Sequence, residues 1–307
     1  MDAQHLTFSV RGLPLAYSVW GDQQKAAEKG VLFCFHGFLD HGHSFATIAR
    51  ALTSELPVIA VDFRGFGHSG WLGDGGYYHF LDNVADAVLL HAALGSPPVH
   101  LLAHSMGGSV ATAFASARPE LVRSLILLEG MGPPREDLDL APVRLRRWIE
   151  SLADPVLAGP AMQRRAARKP MRDVSEAAER MIRTNPRLPR DRALELATYG
   201  SEDDPRGGVV WRFDPLHRTP GARPFNADEY AHHWREVKAP VLSLYGDASE
   251  WMLADLAERH ALLASCVMGT VVNAGHNIHH DQPDVVADAV RAWVRGEQAL
   301  PAGISRR

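Results

Sequence analysis

The segment Leu101-Leu-Ala-His-Ser-Met-Gly-Gly108 passes from an apolar stretch into a helical one with a serine, Ser105, at the junction. A strand that turns sharply into a helix lifts the side chain at its apex clear of the sheet edge. It also brings the helix dipole and free N–H groups close to that side chain. Positions two before and two after the apex are crowded and must be small, and Ala103 and Gly107 stand there. The chemistry this pattern favours is nucleophilic attack by the Ser105 hydroxyl, with the N–H of Met106, the next residue, as a donor to the resulting oxyanion. A serine that merely caps a helix gives the same strand–Ser–helix order, so the motif needs context.

A serine hydroxyl is a poor nucleophile at neutral pH and requires a base. Histidines concentrate near the C-terminus in Asn273-Ala-Gly-His-Asn-Ile-His-His280, which makes His276, His279 and His280 candidates. Such a cluster also raises the question of zinc, but a zinc site needs acidic or cysteine partners at suitable spacing. Asp281 is the only local one, so neither a metal nor a cofactor is expected. The glycines of Asp62-Phe-Arg-Gly-Phe-Gly-His-Ser69 invite a phosphate-loop reading, which fails for want of a Gly-Lys-Ser/Thr element.

The elements that must hold these residues follow from hydrophobic periodicity. Leu6–Val10 and Leu13–Trp20 read as a hairpin, after which short apolar strands alternate with amphipathic helices as far as Glu129. That alternation predicts a mostly parallel sheet covered on both faces. It stops at Gly130. Residues 131–236 are rich in Arg, Pro and helical stretches such as Val143–Leu152 and Val174–Arg183, with a β-like excursion at Gly207–Phe213. Strand–helix alternation resumes at Val241–Tyr245, with a helix expected over Trp251–Leu263 and another over Asp284–Arg295. A core domain of residues 1–130 and 237–307, interrupted by a cap of residues 131–236, is the expected organisation.

Four motifs in this order, His36-Gly37, Asp62–Ser69, Ala103–Gly107 and Gly275-His276, resemble the α/β-hydrolase family along nearly the whole chain. The resemblance implies an eight-stranded, mostly parallel sheet with helices on both faces and an inserted, mainly helical cap. It implies His276 as the base and the N–H of Phe38 as the second oxyanion donor. It also makes the Asp62–Ser69 segment a structural turn, in which Asp62 and Arg64 orient loops. In many relatives the third triad member is an aspartate after the strand read at Val241–Tyr245, but Ser249 occupies that register here, with Asp247 and Glu250 on either side. A subset of the family places the acid after the preceding sheet strand, and Glu129 stands there. A carboxylate ending a buried strand is costly without a partner, which a histidine N–H would supply. Glu129 is therefore the expected acid, with Asp247 the alternative and Glu250 third.

The resulting expectation is a serine hydrolase that cleaves a carboxylic ester, thioester or lactone of modest size through an acyl-enzyme. Carbon–carbon bond hydrolysis or acyl transfer would use the same triad, and a non-catalytic ligand receptor would keep the fold without needing it. The haloalkane dehalogenases and epoxide hydrolases of this fold need an aspartate nucleophile, so Ser105 argues against them. Composition agrees with a globular enzyme: 307 residues, 46% hydrophobic and 22% charged. A net charge of -4 gives no reason to expect nucleic acid as a partner. The two cysteines, Cys34 and Cys266, lie in apolar runs and suggest no disulfide framework, and no secretory or membrane-spanning stretch is evident. A cytoplasmic setting and a small-molecule partner are expected. Trp148, Met162, Met171, Met181, Trp211 and Trp234 are the candidates for an apolar pocket.

Overall fold

The computed structural model describes residues 2–154 and 159–307. A hairpin of β1 (Gln4–Val10) and β2 (Leu13–Trp20) leads into β3 (Val31–Phe35), β4 (Val58–Val61), β5 (Val99–His104) and β6 (Val122–Leu128). An inserted pair, β7 (Ser201–Asp203) and β8 (Val209–Trp211), precedes β9 (Val241–Gly246), β10 (Cys266–Val271) and β11 (Ile304–Arg306). The main sheet has the order β1-β2-β4-β3-β5-β6-β9-β10-β11. Pairing is parallel from β4 through β10 and antiparallel at the β1–β2, β2–β4 and β10–β11 junctions. Eight of these strands are those the sequence implies. The ninth, β11, is a short tail that covers the outer edge of β10, where the chain's last residues find unpaired backbone groups.

The central strands are apolar on both faces because helices cover both, and every residue of β3, β4, β5 and β9 is buried. One layer packs Phe33, Phe35, Leu101, Val110, Phe114 and Leu127 among others. The opposite layer packs Leu32, Cys34, Ile48, Leu102, Ile126 and Trp293 among others. Both cysteines are free thiols, Cys34 fully buried.

Between residues 131 and 236 the described elements are helices at Ala141–Leu152, Ala161–Ala167, Val174–Thr184, Arg190–Gly200 and Ala227–Glu236, with the β7–β8 pair. The irregular segment at Gly207–Phe213 is thus a strand edge, β8. Met171, Ala177, Ala178, Leu188, Ala193, Leu196, Ala197 and Val209 form a small apolar core separate from the two around the sheet. The helix Ala227–Glu236 behaves otherwise. Its Tyr230, Ala231 and Trp234 join the core under Met106–Ala117, and the Tyr230 hydroxyl donates to the Ser109 carbonyl at 3.3 Å.

Two buried polar links fasten the insertion to the sheet domain. In the first, the Tyr78 hydroxyl donates to Asp214, a carboxylate that Arg164 of the same insertion holds through two nitrogens, each at 2.8 Å. The Tyr199 hydroxyl donates to Asp62, which also accepts from the N–H groups of Gly42 and His68. Arg64 forks onto the buried Asp86. The glycine-rich turn after β4 is therefore a junction in which Asp62 and Arg64 organise loops.

One of the tight backbone approaches in the sheet domain lies beside the β5 turn. A Cβ on Gly108 would sit 2.3 Å from the Gly130 carbonyl oxygen and 2.4 Å from its Cα, with backbone on both sides and nothing free to give. Gly108→Ala is expected to lower the free energy of unfolding by about 2–3 kcal/mol, the range for overpacking a filled core, read from the urea midpoint. An unchanged midpoint would show that this approach is not a constraint.

Candidate active site

Ser105 occupies the turn between β5 and the helix Met106–Ala117 with φ 50° and ψ −117°, a conformation L-residues rarely adopt. Its side chain makes no capping bond to that helix, so the capping explanation of the serine fails. The turn is held by the Ser105 N–H, which donates to the Leu128 carbonyl at 3.0 Å, and by the close packing of Gly107. A Cβ there would meet the Phe35 carbonyl oxygen at 2.3 Å.

Three side chains expected to act together are in contact. His276 Nε2 is 3.0 Å from Ser105 Oγ, and His276 Nδ1 is 2.7 Å from Glu129 Oε2. Glu129 follows β6 directly, at a positive φ of 48° that turns its side chain across the end of β9. The carboxylate is almost fully buried and accepts two further bonds, from the Gly246 N–H at 2.9 Å and the Ser249 hydroxyl at 2.7 Å. Three donors make a buried charge tolerable that would otherwise cost several kcal/mol.

The alternative acids lie elsewhere. Asp247 accepts from the Ala274 N–H at 3.1 Å and has no bond to His276; hydrogen bonds from the Asn273 and Ala274 backbone hold its carboxyl below the usual range. Its work is to brace the turn that carries Gly275-His276. Glu250 is exposed. Ser249, in the register where many relatives carry the acid, donates to Glu129 instead.

Met106 follows Ser105 and Phe38 lies on the neighbouring loop, and neither N–H donates to another backbone carbonyl among the described residues. The loop bearing Phe38 is drawn against the nucleophile turn. A Cβ on Gly37 would fall 2.6 Å from His104 Nδ1 and 3.4 Å from Ser105 Cβ, so only glycine allows this approach. His36 locks the loop: its Nδ1–H donates to the Gly37 carbonyl at 2.7 Å, and its Nε2 accepts from the Phe63 N–H at 3.0 Å. Burial holds the His36 imidazole below its ordinary range.

Sequence reasoning assigned no contact with His276 or its carboxylate partner to three residues that make one. His104 Nε2–H donates to the His276 carbonyl at 3.0 Å, and its position just before Ser105 could have drawn attention. The Trp251 ring lies 5.4 Å from that of His276. A helix expected from Trp251 begins only at Leu256 and ends at His260, because the Ser249 hydroxyl accepts the Trp251 N–H and leaves Trp251 in the loop. Ser249 itself is the third.

Next to these groups a cavity of about 340 Å³ opens between the insertion and the sheet domain, with Phe38, Leu39, Met181, Leu196, Trp211 and Phe213 among its walls. Of the six pocket candidates, Met181 and Trp211 line it. Met171 and Trp234 are buried in cores, Met162 is exposed, and Trp148 packs edge-on to Tyr77. His279 and His280, the other candidate bases, point away from Ser105 toward Asp40. Burial holds both imidazoles, and that of His104, well below the ordinary range.

The α/β hydrolase fold family model matches residues 30–283, and the chain belongs to that family. It is 27% identical over 285 residues to a serine hydrolase-like protein of Danio rerio, covering 90% of this chain and 84% of that protein. It is 28% identical over 275 residues to an esterase of Mycobacterium tuberculosis, covering 83% and 80%. Among solved structures, the thioesterase domain from the curacin biosynthetic pathway superposes with a TM-score of 0.78 at 26% identity, covering 96% of this chain and 100% of that one. A hypothetical protein of Pseudomonas aeruginosa PAO1 superposes with a TM-score of 0.79 at 27% identity, covering 95% and 98%. The class defined in this way is a hydrolase. No helix of the described residues is long and apolar enough to cross a membrane.

Removing one of the three donors to the Glu129 carboxylate tests its burial. Ser249→Ala is expected to cost about 1.5–3 kcal/mol in unfolding free energy at neutral pH, as for hydrogen bonds to charged groups. An effect below about 0.5 kcal/mol in denaturant titrations would mean that water replaces the hydroxyl and the carboxylate is not sealed.

Proposed function

We propose that this chain is a serine esterase that cleaves carboxylic esters or thioesters through an acyl-enzyme. Ser105 is the nucleophile, His276 the general base and acid, and Glu129 the residue that orients His276. The observation that carries the reading is the unbroken relay from Ser105 Oγ through His276 to the Glu129 carboxylate, at 3.0 and 2.7 Å.

The chemistry follows from that geometry. His276 Nε2 takes the Ser105 proton as Oγ attacks the acyl carbon. The N–H groups of Phe38 and Met106 then stabilise the tetrahedral oxyanion. Collapse expels the alcohol or thiol, which receives the proton from His276, and leaves the acyl group on Ser105. Water attacks in a second round with the same transfers. Glu129 holds Nδ1 protonated, so that Nε2 presents its lone pair to the serine, and it stabilises the imidazolium between the steps.

The insertion over residues 131–236 acts as the cap, with the helix Ala227–Glu236 as its hinge onto the core. The cavity that it covers is large enough for a small acyl or alcohol group, and its mainly apolar walls suit one. The thioesterase superposition supports keeping thioesters beside esters.

A fluorophosphonate probe is expected to label the wild type and not Ser105→Ala; an unlabelled wild type would sink the hydrolase mechanism. Glu129→Gln is expected to cut kcat by about 10⁴-fold, as loss of the orienting carboxylate does elsewhere, with Asp247→Asn mild. The opposite ranking would move the acid to Asp247. Across p-nitrophenyl esters, kcat/KM is expected to favour butyrate over palmitate, since a cavity of about 340 Å³ has room for a short acyl chain and not for a sixteen-carbon one. A preference for palmitate would show that the cap opens.

A further inference from the structure

Asp40, on the loop after β3, meets His279 and His280 from the far end of the chain. One carboxylate oxygen and two imidazole nitrogens lie within 4.8 Å of one another. Asp40 Oδ2 is 3.7 Å from His279 Nε2 and 3.8 Å from His280 Nε2, too far for hydrogen bonds. Asp40 Oδ2, both ring nitrogens of His279 and Nε2 of His280 are buried without a hydrogen-bond partner among the described residues. Both histidine side chains are nearly fully buried. Buried polar atoms normally have partners, and here each of three residues brings an unpartnered buried atom to one niche, which needs an occupant.

We propose that Asp40, His279 and His280 bind one first-row transition-metal dication, with zinc the best match to two imidazoles and a carboxylate. Donors on a tetrahedral zinc, each about 2.0–2.1 Å from the ion, lie about 3.3 Å apart, so the two carboxylate–imidazole separations of 3.7 and 3.8 Å must close by about half an ångström, and the donors as a set, now within 4.8 Å, by up to about 1.5 Å. Asp281, the acid that sequence alone offered, is not a ligand. It already accepts from the Gly275 N–H and from Asn185 Nδ2. Arg192, whose charge reaches the niche, is held by Glu195 and the Ser44 carbonyl. Asp40 and His280 both line the cavity, which gives the ion an entry path and leaves a fourth position for water or a ligand from that side. A bound ion would tie the Phe38 loop to the His276 loop, the two segments that flank Ser105. The site itself stands whether or not Ser105 is the nucleophile.

The test titrates chelator-stripped full-length protein with Co²⁺ and Zn²⁺. Wild type is expected to give the intense visible bands of four-coordinate cobalt and to retain one zinc per chain after dialysis. Its Tm is expected to rise by about 4 °C at about a hundredfold excess of Zn²⁺ over Kd. Asp40→Asn and His280→Gln are each expected to weaken binding by at least about tenfold, with metal-free circular dichroism matching wild type. X-ray absorption of the zinc-loaded wild type supplies a readout that needs no variant, and a shell with two imidazoles is expected. Wild type that leaves cobalt with its aqua-ion spectrum, an absorption shell lacking imidazoles, or folded variants that retain stoichiometric zinc would overturn the proposal.

Discussion

The site depends on one strained turn. At φ 50° and ψ −117°, Ser105 lies where a side chain pays in backbone energy for its position, roughly 1–3 kcal/mol. The conformation persists because the ends of three parallel strands surround it. Gly107 is pressed on the Phe35 carbonyl at the end of β3, Gly108 on Gly130 after β6, and the Ser105 N–H is bonded to Leu128. Each contact requires a glycine or a main-chain group at the carboxyl end of a strand, where the parallel sheet gathers them. The same crowding brings Gly37 against His104 and so sets where Phe38 can present its N–H. The positions of Ser105, of the Phe38 and Met106 N–H groups and of the start of Glu129 are thus fixed by how closely three strand ends approach.

From that constraint the location of the carboxylate follows by electrostatics. Glu129 leaves β6 next to the strand that carries Ser105, and its longer side chain spans to His276 while staying buried. Burial there is possible because the end of β9 turns Gly246 N–H and Ser249 Oγ toward it. An aspartate at position 249 would put two carboxylates in contact with each other, and only one could ionise cheaply. Serine at 249 and glutamate at 129 are two halves of one solution. Asp247, released from the relay, braces the turn at Asn273–Ala274 that delivers His276.

Much of this could be read in the sequence, and most of what could not has a common cause. Apolar runs such as Val31–Phe35 and Leu125–Leu128 announce strands covered on both faces, and Ala103 and Gly107 announce the turn, because these signals are local. The donors to Glu129 and the partner of His279 and His280 come from distant parts of the chain, and spacing says nothing about them. Asp40 lies only two residues after Phe38, yet nothing local links it to histidines at the C-terminus. The helix expected at Trp251 starts late for a different, local reason: the Ser249 hydroxyl, two residues earlier, accepts the Trp251 N–H. Such short-range side-chain-to-backbone bonds compete with a modest helical propensity over one turn.

The 131–236 insertion meets the sheet domain through the apolar packing of Tyr230, Ala231 and Trp234 and through buried polar bonds. A second apolar cluster of the insertion is separate, and the polar junction is Tyr78 on Asp214, which pairs with Arg164 inside the insertion, together with Tyr199 on Asp62. A buried ion pair adds little net stability over an apolar replacement, but breaking it from one side is costly, because it strands a charge. The Arg164–Asp214 pair lies within the insertion, so it fixes the carboxylate that Tyr78 of the sheet domain reaches rather than bridging the two parts itself. Asp62 serves both sides, since it also accepts from Gly42 and His68 in the loops of the sheet domain. The cavity walls from the cap, Met181, Leu196 and Trp211, are thereby referenced to the turn after β4, which in turn touches His36 through the Phe63 N–H. Pocket shape and the Phe38 loop share one polar framework, so a change in how the 131–236 insertion sits is felt close to Ser105.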